Sequence, residues 1–169
     1  MIYLVWLLRI IHIVGGVIWV GGTLIMTFFI GPTVGATAEA GQKFVAYLMN
    51  NLKFSNRMSA AAGLTILAGI ILYSLDARAG SAWVRSGMGT GLSIGAGFAI
   101  IGFIFGILIG RTTNAMARLG SQFQGKPTNE QMSQMQTIRK QQALYSNISA
   151  VALILAVTFM AVARYLGMG

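Results

Sequence analysis

The sequence lacks cysteine and is poor in acidic residues and histidine. The absence of cysteine excludes disulfides, thiolate metal sites and a cysteine nucleophile. The chain has three acidic residues, Glu39, Asp76 and Glu130. They are far apart in sequence, so we do not expect a carboxylate pair for acid–base catalysis. There is also no phosphate-binding loop, no nucleophile elbow and no series of acids typical of a proton-coupled transporter.

Charged residues of either sign are scarce, at 9% of the chain, while 56% of the residues are hydrophobic. A soluble domain averages about 25% charged residues, so this composition indicates a membrane protein. The net charge is +9, which by itself would suit nucleic acid. Because the basic residues lie in loops beside apolar segments, we expect them to contact lipid headgroups and predict no nucleic-acid partner.

Four segments are long and apolar enough to cross a bilayer: about residues 3–30, 58–75, 91–109 and 148–166. Each must be a helix, since lipid offers no partner for an unpaired backbone group. We therefore predict an all-α membrane protein in which residues 1–169 form a single four-transmembrane-helix domain, an up-down-up-down bundle. The first segment has twice the usual length of a signal-peptide core and no basic start, so we expect it to be retained.

The basic residues of the connecting segments set the expected orientation. Three of them, Arg78, Arg85 and Arg164, lie in the second loop or near the C-terminus. Eight lie in the first and third loops: Lys43, Lys53, Arg57, Arg111, Arg118, Lys126, Arg139 and Lys140. This excess places loops one and three in the cytoplasm and both termini outside.

Both cytoplasmic loops contain sequence patterns typical of helices. Gly31-Pro32 predicts that the first helix ends or bends sharply there. In the segment that follows, Phe44, Tyr47, Leu48 and Leu52 recur at helical spacing. We interpret this segment as a short amphipathic helix, either at the cytoplasmic membrane interface or against the end of the bundle.

The third loop predicts an extended cytoplasmic hairpin between the third and fourth helices. Thr128 to Gln131 reads as a capping box, and no helix breaker follows before the last span. We expect one helix from about 129 to 166, the third helix to extend to about 119, and a turn between them at about 120–127.

Arg9, His12, Gly16 and Trp19 share one face of the first helix, and Gly15 flanks it. An ionisable residue inside a membrane helix is a functional-site hypothesis. A histidine with glycine one turn away offers a nitrogen ligand and room for a macrocycle, so haem b is one candidate ligand. Arg9, one turn nearer the outer surface, would meet the propionates.

Other readings of these residues stay open. His12 could be a neutral histidine hydrogen-bonded across the bundle, for example to Thr65 or another hydroxyl. Arg9 could pair with Asp76 or extend to the outer interface. If haem binds, a second axial ligand could come from Met160, which lies at comparable depth on the fourth helix, or from His12 of a second copy. A methionine on an apolar helix more often packs than ligates.

Two further patterns concern metals and packing. Met132 and Met135 are one turn apart, and thioethers suit copper(I), but no histidine or cysteine is near them in sequence. The third span carries small residues at three- or four-residue spacing: Gly91, Gly95, Ala99, Gly102, Gly106 and Gly110. Such a stripe permits close approach of another helix, a second copy of the chain or the face of a cofactor.

The segment from His12 to Pro32 resembles the first helix of a group of small bacterial membrane proteins. This group includes copper-resistance-D-like domains and four-helix protoporphyrinogen oxidases. The matching residues are His12, Trp19, Gly21, Gly22 and Pro32. The resemblance implies a bacterial inner-membrane location. Its oxidase branch implies haem b on His12 and its copper branch implies copper handling. The oxidase branch also has a lysine in a later span, which this sequence lacks.

Two functional hypotheses follow from the sequence. In the first, the protein binds haem b through His12 and acts in a redox or electron-transfer role. In the second, it is a non-catalytic accessory subunit of a larger membrane complex, or a homodimer, and its glycine stripe and basic loops serve packing and lipid contact. Copper handling is a weaker third hypothesis, and whether the protein is an enzyme stays open.

Overall fold

The structure, a computed structural model, describes residues 2–123 and 125–166. The described residues are 90% helical, and they include four helices that are long and apolar enough to span a membrane. These findings confirm the all-α membrane class. The helices are α1 (Ile2–Ile25), α2 (Gly31–Ala36), α3 (Ala38–Asn50), α4 (Phe54–Ala77), α5 (Ser81–Val84), α6 (Gly87–Ser121) and α7 (Asn129–Val162).

The helical backbone continues through Gly31-Pro32, so the predicted end of the first helix at these residues is wrong. A π-helical turn, Met26–Ile30, joins α1 directly to α2. Proline cannot donate a backbone hydrogen bond, and in an α-helix its ring clashes with the carbonyl four residues earlier. The π-helical turn bonds residues five apart, as Gly31 N–H does to the Met26 carbonyl. This wider turn accommodates Pro32 near the start of α2, and the helical backbone stays continuous from α1 to α2.

The amphipathic segment of the first loop is helical, as predicted, and forms α3. Gly41 allows α3 to approach α2 closely, because a Cβ atom there would collide with Val34 and Thr37. Phe44 and Tyr47 are both more than half exposed. Leu52, which the sequence pattern placed on the same helix, lies beyond its end.

The predicted capping box at the start of α7 is confirmed. The Thr128 hydroxyl accepts from Gln131 N–H, and the Gln131 side chain accepts from Thr128 N–H. From this cap the helix continues without a break through Val162 to a 3₁₀ turn, Ala163–Tyr165. Beside it, α6 extends to Ser121, close to the predicted end at about 119.

The long helices form two closely packed pairs, α1 with α4 and α6 with α7. The pairs meet in a small cluster formed by Trp19, Ala61, Ala62 and Leu153, against which Phe103 also packs. The Trp19 and Phe103 rings meet edge to face, with 6.2 Å between their centroids. Nearer the start of α1, the Tyr73 and Ser93 hydroxyls are 2.7 Å apart and join α4 to α6.

Neighbouring helices run in opposite directions within each pair. Between α6 and α7, Gly102 lies against Leu153 and Gly95 against Met160. Between α1 and α4, Gly15 lies against Thr65 and Gly22 against Met58. These contacts fix the register, and they place His12 and the end of α7 on the same side of the Trp19 cluster.

Candidate functional site

His12 is half-buried and is held by a backbone carbonyl of α4. Its Nδ1 atom lies 2.8 Å from the carbonyl oxygen of Thr65. A carbonyl can only accept a hydrogen bond, so Nδ1 carries the proton and donates it. In the neutral ring, Nε2 then has a free lone pair. Histidines that bind metals in proteins usually donate their other ring N–H to a carbonyl or carboxylate in this way.

The sequence suggested a hydroxyl of Thr65 as the partner, and the structure instead uses that residue's carbonyl. The Thr65 hydroxyl donates to the Ala61 carbonyl, 2.7 Å away within α4. It is therefore engaged with its own helix, as threonine in helices often is.

Gly69 makes room for the imidazole. A Cβ atom at this position would lie 2.8 Å from His12 Cε1 and 3.0 Å from Nδ1. Only a residue without a side chain allows the ring to lie this close to α4. Gly69 shares a stripe with Ile66, which packs on the Trp19 cluster, and with Tyr73, which bonds Ser93 on α6. The ring therefore packs on the face of α4 that also carries the contact to α6.

The glycines next to His12 differ from what the sequence suggested. Gly15 is not beside open space, because a Cβ atom there would lie 2.6 Å from the Thr65 hydroxyl oxygen. Its role is close packing of α1 on α4. At Gly16 a Cβ atom would make an ordinary contact of 3.7 Å with the Thr65 methyl group. The close approach of the imidazole to α4 therefore depends on Gly69, and not on Gly15 or Gly16.

Trp19 and Arg9 lie on opposite sides of His12 along α1. Trp19 is only 5% exposed and belongs to the packed cluster, so it lies inward of the histidine. Arg9 is exposed, one turn outward. The structure does not pair it with Asp76: within the described residues, the ion pair found joins Lys43 and Glu39. Arg9 is therefore interpreted either as extending to the outer membrane interface or as contacting a ligand.

The interior of the bundle consists of two successive layers. We call Trp19, Ala62, Phe103 and Leu153 the tight layer; three of them are at most 5% exposed. On each helix, the residue seven positions further outward lies about two turns away and on the same face. These four residues form a second layer. We call this second layer the histidine layer, and it consists of His12, Gly69, Ala96 and Met160. All four of its members are half-buried rather than buried.

The histidine layer combines two long side chains that carry donor atoms with two residues that have almost no side chain. Its two long side chains pack on neighbouring glycines, His12 on Gly69 and Met160 on Gly95. Cofactor sites in helical bundles are built in this way, from side chains on facing helices. In this layer the nitrogen donor is Nε2 of His12, whose other ring nitrogen is held by the Thr65 carbonyl.

The remaining predicted residues lie elsewhere. Gly95 and Gly102 contact α7 closely, and Gly91 contacts Ala163 and Leu166 just beyond its end: a Cβ atom on any of the three would lie 2.7–2.8 Å from a side-chain atom there. Gly106 and Gly110 differ, since nothing from outside their own turn of helix lies within 4 Å of such an atom. Met132 is exposed and Met135 half-buried near the start of α7. In the part of the chain that the structure describes, no three His, Cys, Asp or Glu side chains gather into a metal-binding group.

The fold and site together define an all-helical, multi-pass membrane protein with a half-buried histidine held between α1 and α4. The sequence matches no family model, no curated protein and no solved structure. The resemblance of the first helix to the copper-resistance-D-like and oxidase group therefore stays a prediction.

Proposed function

We propose that this protein binds haem b through His12 in the membrane and serves in a redox or electron-transfer role. The observation that carries the proposal is the hydrogen bond from His12 Nδ1 to the Thr65 carbonyl. It fixes the tautomer and the orientation of the ring and leaves Nε2 as the ligand atom.

The nitrogen donor of His12 suits this group, and the tight layer closes the interior of the bundle on the inward side of the ring. Arg9 is an exposed cation one turn outward, where it can meet the propionates. When bound, haem supplies one-electron exchange at its iron. The chain's own contribution is to hold the iron ligand, to exclude water with Trp19 and Leu153, and to balance charge with Arg9.

The same proposal includes a placement in the bacterial inner membrane, with loops one and three in the cytoplasm. Between Arg57 and Asp76, α4 is free of charged residues for 18 positions, or roughly 27 Å, close to the thickness of a bilayer core. The C-terminal end of α6 and the N-terminal end of α7 then form a hairpin on the cytoplasmic side. On the same side, α3 lies near the headgroups with Phe44 and Tyr47 exposed.

The test is a haemin titration of the purified apoprotein in detergent micelles, followed by the Soret band and by tryptophan fluorescence. We expect saturable binding and quenching, and an affinity at least about tenfold lower in His12→Ala, as for loss of one coordinating group. Ile13→Ala is the matched control, because Ile13 is the next residue and is 61% exposed. Equal binding by His12→Ala and the wild type would overturn the proposal.

A second candidate function is that of an accessory subunit of a larger complex or a homodimer. The observation that favours it is the open space beside Gly106 and Gly110, which continue the spacing of Gly102 along α6. This repeat of glycine at every fourth residue suits close approach by another membrane helix. Gly106→Leu and Gly110→Leu should then release a partner that co-purifies with the wild type. A monomeric, partner-free wild-type protein would contradict this second function.

A further inference from the structure

We propose that Thr65 is a positioning residue for His12. Its side chain packs against two successive glycines of α1, Gly15 and Gly16, and this contact sets where its own carbonyl accepts the His12 Nδ1 proton. The inference rests on the proposed function, because it concerns the residue that orients the same ligand atom, Nε2.

The Thr65 side chain contacts α1 through both of its branches. A Cβ atom at Gly15 would lie 2.6 Å from the Thr65 hydroxyl oxygen, and one at Gly16 would lie 3.7 Å from the Thr65 methyl carbon. Thr65 is only 8% exposed, so the contact is a close one. Small residues in membrane helices permit this approach of one backbone to another. The threonine therefore fixes the register of α1 on α4 at this point.

A hydrogen bond within α4 fixes the orientation of the side chain. The Thr65 hydroxyl donates to the Ala61 carbonyl, 2.7 Å away. Threonine in a helix has two favoured χ1 rotamers, and this bond holds the one that directs the hydroxyl toward Gly15 and the methyl group toward Gly16. A Cβ atom at Gly15 would also lie 3.3 Å from the Ala61 carbonyl oxygen. The hydroxyl, the carbonyl and Gly15 thus meet at one place.

The carbonyl of the same residue holds the imidazole, with 2.8 Å between the Thr65 oxygen and His12 Nδ1. A carbonyl oxygen has two lone pairs, so it can accept this proton as well as the helical N–H of Gly69, four residues on. His12 is one turn before Gly15 and on the same face of α1. A shift of α1 at Gly15 therefore moves His12 relative to the carbonyl.

The hydrogen bond leaves little room for such a shift. Bonds from N–H to oxygen span about 2.7–3.2 Å between the heavy atoms, so a displacement of about half an ångström weakens or breaks the bond. Without it, nothing in the described contacts of the ring keeps the proton on Nδ1. Nε2 would then be protonated in part of the population and would have no lone pair for a metal ion.

The test is ¹⁵N NMR of the tag-free apoprotein in detergent micelles, at alkaline pH, labelled at histidine. The chain has a single histidine, so the ring signals belong to His12 alone. We expect one tautomer, protonated at Nδ1, in the wild type and a mixture of two in Thr65→Ala. Haemin affinity should fall about tenfold, the lower end of the usual loss when a partner of a metal-binding histidine is altered.

Thr65→Ser should restore the wild-type tautomer, because serine keeps the hydroxyl that bonds to Ala61 and faces Gly15. Thr158→Ala is the matched control. The Thr158 hydroxyl donates to the Ile154 carbonyl within α7, 2.8 Å away, and the residue is exposed. This variant removes the same kind of bond from a membrane helix and should change neither the tautomer nor the haemin affinity.

A second pair of variants tests the contact from α1 and leaves Thr65 intact. In Gly15→Ala the new methyl group would lie 2.6 Å from the Thr65 hydroxyl, whereas in Gly16→Ala it would make an ordinary contact of 3.7 Å. We expect mixed tautomers and weaker haemin binding in Gly15→Ala, and the wild-type tautomer and affinity in Gly16→Ala.

The results separate this inference from the proposed function. Thr65→Ala and Gly15→Ala proteins that both keep the wild-type tautomer and haemin affinity would overturn the positioning role and leave His12 as the haem ligand. A wild-type ring protonated at Nε2 would also overturn it. The expected changes of tautomer in a protein that takes up no haemin would support the positioning role and overturn the proposed function.

Discussion

At the scale of single residues, the central feature is a histidine whose proton is committed to a backbone carbonyl. The sequence identifies His12 because ionisable groups inside membrane helices are costly and scarce. It also points to Thr65 as a partner, but it cannot show that the threonine hydroxyl is already used within α4. Nor does it single out Gly69 among the chain's 22 glycines, because that role depends on which helix lies beside α1.

Replacing Gly69 by alanine should disturb His12, whereas the same change at Gly63 should not. A Cβ atom at Gly69 would lie 2.8 Å from the imidazole, while at Gly63 it would meet nothing within 4 Å. Gly63→Ala should raise the free energy of unfolding by about 0.5–1 kcal/mol through helix propensity. We expect Gly69→Ala to give no such rise in the free energy of unfolding and to weaken haemin binding. Equal stability and equal haemin affinity in the two variants would argue against close contact at Gly69.

Ser149 offers a second residue-scale prediction. It is 1% exposed, and its hydroxyl donates to the Gly102 carbonyl across the α6–α7 interface, at 3.0 Å. Ser149→Ala should lower the free energy of unfolding by about 0.6 kcal/mol, the average for hydrogen bonds between membrane helices. Ser74→Ala is the control, because the Ser74 hydroxyl bonds only within its own helix. Unfolding in mixed micelles compares the two.

At the scale of elements, the glycine stripe of α6 divides into two parts. Spacing alone predicts one continuous stripe from Gly91 to Gly110. However, α7 and the turn after it touch only the outer part closely, α7 at Gly95 and Gly102 and the turn at Gly91. The stripe turns slowly around the helix because 3.6 residues per turn do not match a strict four-residue spacing. Gly106 and Gly110 thus point away from α7, which the sequence could not show without the position of α7.

Gly102→Ala and Gly106→Ala should therefore change stability in opposite directions. At Gly102 the new methyl group would lie 2.7 Å from Leu153 Cδ2, and such overpacking costs about 1–3 kcal/mol. At Gly106 nothing lies within 4 Å, so alanine should stabilise the helix by about 0.5–1 kcal/mol. Thermal unfolding of the two variants in detergent measures the difference. A loss of stability in both would mean that Gly106 is covered.

The π-helical turn shows where a sequence rule fails at this scale. Proline usually ends a helix, and on that basis Pro32 predicts a break. The structure instead widens one turn of helix, Met26–Ile30, just before the proline. The local sequence does not reveal this alternative, because the continuous helix also depends on its contacts with α3, α4 and α7.

At the scale of the whole molecule, the membrane class follows directly from composition. Four apolar segments in a chain with so few charges leave little alternative to four long helices, and the structure contains them. How the helices pair is less accessible from sequence. The two pairs meet through few side chains, chiefly Trp19 and Leu153, and the histidine layer becomes apparent only when their contacts set the register.

The absence of cysteine makes the orientation of the molecule directly measurable. Gln134→Cys lies on the extension of α7, and Ser81→Cys in the segment between α4 and α6; both positions are exposed. With loops one and three in the cytoplasm, a membrane-impermeant thiol reagent added to intact cells should label only Ser81→Cys. Labelling of Gln134→Cys alone would invert the orientation.

The measurement that tests the account most directly is the visible absorption spectrum of the wild-type protein purified from membranes, beside that of His12→Ala. We predict a Soret band at about one haem per chain in the wild type and its loss in His12→Ala, with both proteins folded and equally helical. A wild-type protein without absorbing cofactor, or a His12→Ala protein with an unchanged band, would contradict the assignment of His12 as the haem ligand.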